Sequence, residues 1–154
     1  MSKCLVIPVL RELVRCYQAF ERLSVSHIRE TGLTAPQFDI LVTLGNTDGM
    51  TFKELGQRTL ITKGTLTGVV DRLEARGLAR REASAKDGRS TVVRLTPEGE
   101  SLFSRVFEPH LAFLAPAFET LPDAARTDLE RHLRTLRGSF ETRLAAFETP
   151  AEAA

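Results

Sequence analysis

The sequence predicts a mainly α chain with one small β ribbon, and three observations carry that expectation. Apolar residues recur at spacings of three and four over most of the 154 residues, which is the helical period. The period falls to two only between Leu78 and Leu95, where Thr91, Val93 and Leu95 alternate with Val92 and Arg94. Threonines mark helix starts at Thr34-Ala35-Pro36-Gln37, Thr51-Phe52-Lys53-Glu54 and Thr96-Pro97-Glu98, each with a partner for the first-turn amides or a proline that needs none.

The first helix spans about Leu5 to Arg29, with Leu10, Leu13, Val14, Tyr17, Phe20 and Leu23 on one face. Proline has no amide for an interior turn, so Pro8 places the start of the regular part near itself. Gly32 ends the pattern. The second helix turns Phe38, Leu41, Val42 and Leu44 inward, and Gly45-Asn46 with Asp48-Gly49 reverses the chain. A short third helix buries Phe52 and Leu55.

Thr62 is placed to cap a fourth helix whose inward stripe is Leu66, Val69, Val70 and Leu73. Its outward positions, Lys63, Thr65, Thr67, Gly68, Asp71 and Arg72, are small, polar or charged. Gly77 closes it. Arg80 and Arg81 belong to the partner strand of a two-stranded ribbon, and the connection from Glu82 to Arg89 is basic and contains Asp87-Gly88. The helix opened by Thr96-Pro97 carries Phe103, Val106, Phe107, Leu111, Leu114 and Phe118, with a bend expected at Pro109 and an end near Pro116. Pro122-Asp123 starts a final helix with Leu129, Leu133, Leu136, Phe140, Leu144 and Phe147 close to a heptad seam.

Charge is distributed unevenly behind a net of +1. Residues 51 to 96 carry ten basic and five acidic side chains, residues 97 to 154 six and ten, and residues 1 to 50 five of each. A basic centre between neutral and acidic arms suits a polyanion, although a solvated face gives the same counts. Cys4 and Cys16 are too few and too close for a disulfide framework, and no leader or apolar run of ~20 residues is evident. The expectation is a single reduced, cytoplasmic domain over residues 1 to 154, without a membrane segment.

The order of elements is that of a winged helix-turn-helix at 34 to 96, with dimerisation helices at 5 to 30 and 97 to 147. A helix of about 15 residues fits the major groove, and a basic hairpin beside it reaches phosphates or the neighbouring minor groove. The interface between copies is expected to use Leu10, Leu129, Leu133, Leu136 and Phe140. No phosphate-cradling glycine loop, nucleophilic serine turn or metal-ligand spacing is found, and His27, His110 and His132 are scattered. Neither an enzyme nor a bound metal or cofactor is expected.

Leu33-Thr34-Ala35-Pro36-Gln37-Phe38, Arg72-Leu73-Glu74-Ala75-Arg76-Gly77-Leu78 and the run from Asp87-Gly88-Arg89 through Thr96-Pro97-Glu98-Gly99 resemble the MarR family of bacterial transcriptional regulators. The resemblance covers nearly the whole chain, and the last run is its most specific part. It implies a homodimer that binds a pseudo-palindromic site on double-stranded DNA, usually as a repressor, and releases it when a small phenolic or other aromatic effector or an oxidant respaces the two recognition helices. On that reading residues 62 to 76 form the recognition helix, Arg89 is the wing-tip residue for the minor groove, and Asp87 orients it.

Candidate DNA contacts are Thr62, Lys63, Thr65, Thr67, Gly68, Arg72, Lys86, Asp87 and Arg89, with Arg80, Arg81 and Arg94 weaker candidates for phosphates. Gly68 departs from the larger, often basic residue of many relatives, and Asp71 would repel phosphates unless paired with Arg72 or another base. The family's effector crevice lies where the first, second and fifth helices meet, which makes Tyr17, Phe20, His27, Phe38 and Phe103 candidates, although the same spacing suits a plain core. Cys16 occupies the helix that bears the peroxide-sensing cysteine of one branch, without that branch's tyrosine pattern. Two alternatives stay open: a ligand- or protein-binding module that lost operator recognition, and a redox sensor based on Cys16.

Overall fold

The computed structural model describes residues 3–59, 61–84 and 90–148. The chain divides into two compact units, Met1–Leu114 and Ala115–Ala154. The first holds α1 (Lys3–Ile28), a 3-10 turn (Arg29–Thr31), α2 (Ala35–Leu44), β1 (Met50–Thr51), α3 (Phe52–Arg58), α4 (Lys63–Ala75), β2 (Ala79–Ala83), β3 (Thr91–Leu95) and most of α5 (Pro97–Glu119). The second holds the end of α5 and α6 (Asp123–Glu148).

Local chemistry sets most boundaries. In α2 the Thr34 hydroxyl accepts from the Gln37 amide at 3.4 Å while the Gln37 side chain accepts from the Thr34 amide at 3.0 Å. Thr51 and Glu54 repeat that reciprocal cap on α3. Gly32 and Gly77 take φ of 73° and 68°, which lets the chain leave α1 and α4 without a Cβ clash. At α5 the Thr96 hydroxyl donates to the Gly77 carbonyl at 2.6 Å and accepts from the Gly99 amide at 3.1 Å, stitching the helix start to the end of α4.

α5 runs past Pro109 as one helix and ends at Glu119, with Pro116 near its end as expected. Two expectations need correction. α1 begins at Lys3, so Pro8 lies inside it; the missing amide falls in the second turn, early enough for the helix to persist. The ribbon is three-stranded, because Met50 and Thr51 pair antiparallel with Val93 and Val92 on the free edge of β3, giving the order β1-β3-β2. β2 and β3 pair over five residues, from Ala79 with Leu95 to Ala83 with Thr91.

The core of the first unit is built where α2, α3, α4 and the sheet converge. Ile40, Leu41, Leu44, Leu55 and Val93 are fully buried there. Leu66, Val69, Val70 and Leu73 join them from α4, and at roughly 2 kcal/mol per buried side chain this stripe anchors the helix by one face. α1 differs: Leu10, Val14, Tyr17, Phe20 and Leu23 are exposed. In α6 no residue is buried; Leu129, Leu133, Phe140, Leu144 and Phe147 are exposed, Leu136 is half-buried, and ion pairs such as Arg131–Asp128 run along the helix.

Candidate nucleic-acid interface

Burial of one face of α4 decides what the other can do. With Leu66, Val69, Val70 and Leu73 turned inward, Gly64, Thr65, Thr67, Asp71 and Arg72 are exposed and Gly68 is half-exposed. Lys63 opens the helix. Thr62 sits at the N-cap with extended backbone, but its hydroxyl does not cap: it lies 3.0 Å from the Thr65 hydroxyl, and that pairing takes the place of the backbone bond expected from the sequence. The two threonines therefore present linked hydroxyls at the exposed start of the helix.

Gly64 and Gly68 fall one turn apart. A Cβ at Gly64 would meet nothing within 4 Å, and one at Gly68 would meet only Arg72 Nη1, at 3.8 Å. Helical side chains lean toward the N-terminus, so the Arg72 guanidinium lies back over the turn that Gly68 leaves bare.

Arg76, Arg80, Arg81 and Arg94 are held by partners. Arg81 pairs with Glu74 and, at 2.6 Å, with Asp71, which answers the question of what neutralises that carboxylate: it is Arg81 of β2, not Arg72. Arg80 pairs with Glu82 at 2.5 Å, and Arg94 donates to the Asp48 carbonyl at 2.7 Å with Glu82 3.7 Å from its Nε. Arg76 donates to the Gly32 carbonyl at 3.1 Å and so ties α4 to the entry of α2. All three strand arginines read as weaker phosphate candidates are therefore engaged within the fold. Lys86, Asp87 and Arg89 lie outside the described residues; the chain enters and leaves that segment through a Ser84 amide to Ser90 carbonyl bond of 2.8 Å.

Of the effector candidates, the structure brings His27 and Phe38 together around His110. The His27 and His110 Nδ1 atoms are 3.0 Å apart, Ser24 Oγ is 3.1 Å from His110 Nε2, Phe38 meets the His110 ring edge-on, and Phe113 stacks on His27. Phe103 does not join this cluster: it stacks on Phe107, and its ring fills the space a Cβ at Gly45 would take. Tyr17 and Phe20 form an exposed pair, and partial burial, then Glu21 and Asp39, raise the Tyr17 phenol above its ordinary value, keeping it a neutral hydroxyl. Cys16 is exposed in the protomer. His110 was missed because its partners stand 83 and 86 residues away; its place in the stripe Phe103, Val106, His110, Leu114 was the available signal.

Burial, then the charge of His27, holds the His110 imidazole below its ordinary 6.5. The unfolded chain takes up a proton near that value while the folded one resists, so the stability due to neutral His110 is full above about pH 6.5 and is lost as pH falls through the lower folded value. Thermal unfolding between pH 7.5 and 5 is expected to show a falling Tm, and His110→Gln to flatten that fall. An unchanged pH dependence in the variant would remove His110 as its source.

Comparison with known proteins agrees with this architecture. The MarR family pattern matches residues 31–90. The HTH-type transcriptional regulator PecS of Dickeya dadantii is 35% identical over 115 residues, covering 73% of this chain and 67% of its own. The chain belongs to the MarR family. BpsR of Bordetella bronchiseptica, whose DNA binding is regulated by 6-hydroxynicotinic acid, superposes on this MarR-family chain with a TM-score of 0.72 at 28% identity, over 89% of this chain and 96% of that one. AbsC from Streptomyces coelicolor, at 23% identity, shares the fold with a TM-score of 0.80 over 92% and 98% of the two chains. A MarR-family transcriptional regulator is not an enzyme, and no helix among the described residues is long and apolar enough to cross a membrane.

Proposed function

We propose that this regulator binds a pseudo-palindromic operator as a homodimer, acts as a repressor, and releases DNA on binding an aromatic acid. The observation that carries the reading is α4 itself, fixed by four buried apolar residues and turning Gly64, Thr65, Thr67, Asp71 and Arg72 outward. In this assignment Thr62, Lys63, Thr65, Thr67 and Arg72 meet the major groove, Gly68 lets the helix backbone approach closely, and Lys86, Asp87 and Arg89 form the wing. Two such helices about one duplex turn (~34 Å) apart match a two-fold operator. The lobe at 34 to 96 reads DNA, and helices α1, α5 and α6 join the copies.

The exposed apolar residues of α1 and α6 support a second copy as their partner, since patches of that kind seldom stay bare. For the effector, BpsR's response to 6-hydroxynicotinic acid and the His27, Phe38 and His110 cluster favour a ring stacked among aromatics with its polar groups on imidazole and the Ser24 hydroxyl. Gly64 and Gly68 give the competing reading its footing, because a helix bare at two outward positions has fewer side chains with which to tell bases apart.

Selection of bound duplexes from a randomised library, followed by gel shifts, separates the two. The operator reading expects an inverted repeat bound at nanomolar, salt-sensitive affinity; weak retention of every sequence alike would favour the module without operator specificity. Arg89→Ala is expected to weaken binding to the selected duplex roughly 10- to 100-fold, the scale of one lost specific arginine contact, at unchanged Tm. Equal affinity would remove Arg89 from the wing contact.

A further inference from the structure

We propose that Arg72 selects a guanine in each half-site and that Gly68 gives it the room to do so, the two residues acting as a single specificity determinant one turn apart on α4. The inference rests on the operator-binding reading above and names the base which that reading leaves open. At about 3.6 residues per turn, the positions directly opposite the buried stripe of Leu66, Val69, Val70 and Leu73 are Gly64, Gly68, Asp71 and Ala75. Two glycines and an alanine bring no polar side chain to a base edge. The Asp71 carboxylate, the one polar group on that line, is paired with Arg81 at 2.6 Å. Reading a base over the middle of this face therefore falls to a side chain that leans in from its flank.

Arg72 is such a side chain. It is exposed and, unlike Arg76, Arg80, Arg81 and Arg94, has no ion pair or side-chain hydrogen bond among the described residues. Its Nη1 stands 3.8 Å from the place of a Cβ on Gly68, so the guanidinium rests over the bare turn, on the line opposite the buried stripe. At that distance a methyl on residue 68 would make an ordinary contact and leave the guanidinium in place. A long side chain there would compete for the same space and push it away.

An unpaired guanidinium has two parallel N–H groups to offer to one partner. In the major groove only guanine presents two acceptors, O6 and N7, on a single base edge. Adenine replaces one of them with a donor, thymine sets one acceptor beside a methyl group, and cytosine shows a donor. The fork of Arg72 thus fits one base of the four.

The test is selection from a randomised duplex library by wild type, Arg72→Ala, Gly68→Leu and Gly68→Ala, followed by gel-shift titration and with circular dichroism to check that each variant folds. Wild type should select a guanine at one fixed position of each half-site. Replacing it by 7-deazaguanine, which pairs normally but lacks the N7 acceptor, should weaken binding roughly tenfold per half-site, the scale of one hydrogen bond to a charged group. Arg72→Ala should bind the guanine and 7-deazaguanine duplexes alike. Gly68→Leu, which keeps every charge, should lose the same preference at the wild-type salt slope, and Gly68→Ala should keep it.

A phosphate contact leaves a different record: Arg72→Ala would weaken all duplexes equally, retain the guanine preference and lower the slope of log K against log salt by about one unit per protomer. That result overturns the proposal, as does an undiminished guanine preference in Gly68→Leu. A wild-type selection without a fixed guanine overturns it too and leaves the operator reading standing. Should wild type select no duplex at all, the operator reading itself fails, an outcome distinct from the others.

Discussion

Gly99→Ala is expected to cost about 3 kcal/mol, because the added methyl has nowhere to go. Gly99 is the third residue of α5, and a Cβ built on it would stand 2.0 Å from the Leu78 carbonyl oxygen and 3.2 Å from Leu95 Cβ. Backbone, not a yielding side chain, blocks the site. Relief requires α5 to lift from the junction of α4 and β2, which would stretch the bonds from the Thr96 amide to the Leu78 carbonyl at 3.1 Å and from the Thr96 hydroxyl to Gly77. For a chain of this size the loss corresponds to a Tm lowered by about 10 °C. Gly68→Ala provides the contrast: the nearest atom to its Cβ is a solvent-exposed guanidinium nitrogen, so the helical preference for alanine should prevail and raise stability by about 1 kcal/mol. Equal Tm values for the two variants would show that the contact at Gly99 is not as close as described.

That glycine also shows what a sequence discloses. The run Thr96-Pro97-Glu98-Gly99 announces a helix start through local chemistry, and the cap forms as expected. The reason for glycine at its end lies in Leu78, 21 positions earlier, and no local rule reaches that far. The same divide runs through the rest of the molecule. The inward stripe of α4 was legible because helical period alone dictates it, and its polar outer face followed as the complement. β1 was not legible, since a two-residue strand has no period and exists only because β3 offers an unpaired edge. Which base pairs with Asp71 stayed open for a similar reason: Arg72 is its neighbour in sequence, whereas Arg81 becomes its neighbour only once β2 folds back along α4. His27 and His110 looked scattered for want of any spacing rule linking α1 to α5.

Leu133→Glu should convert a dimer to a monomer and reduce operator affinity by a factor of roughly 10² to 10⁴, the usual gain from linking two binding events. The reasoning begins with what the protomer does not bury. Leu133 is 45% exposed, and its helical neighbours Leu129 and Phe140 are exposed as well. A glutamate at a site already in water disturbs little within one chain, so helical content and the core around α4 should be unchanged. Across a seam between two copies the same carboxylate would be buried against apolar surface, where an unpaired charge is unfavourable enough to open the interface. Sedimentation at micromolar concentration should show the mass halved, and the variant should still bind a single half-site weakly, because α4 is held by its own inward stripe. A wild-type mass in Leu133→Glu would place the contact between copies elsewhere. A halved mass with full operator affinity would mean that each protomer reads its site alone, and the two-fold operator would lose its physical basis.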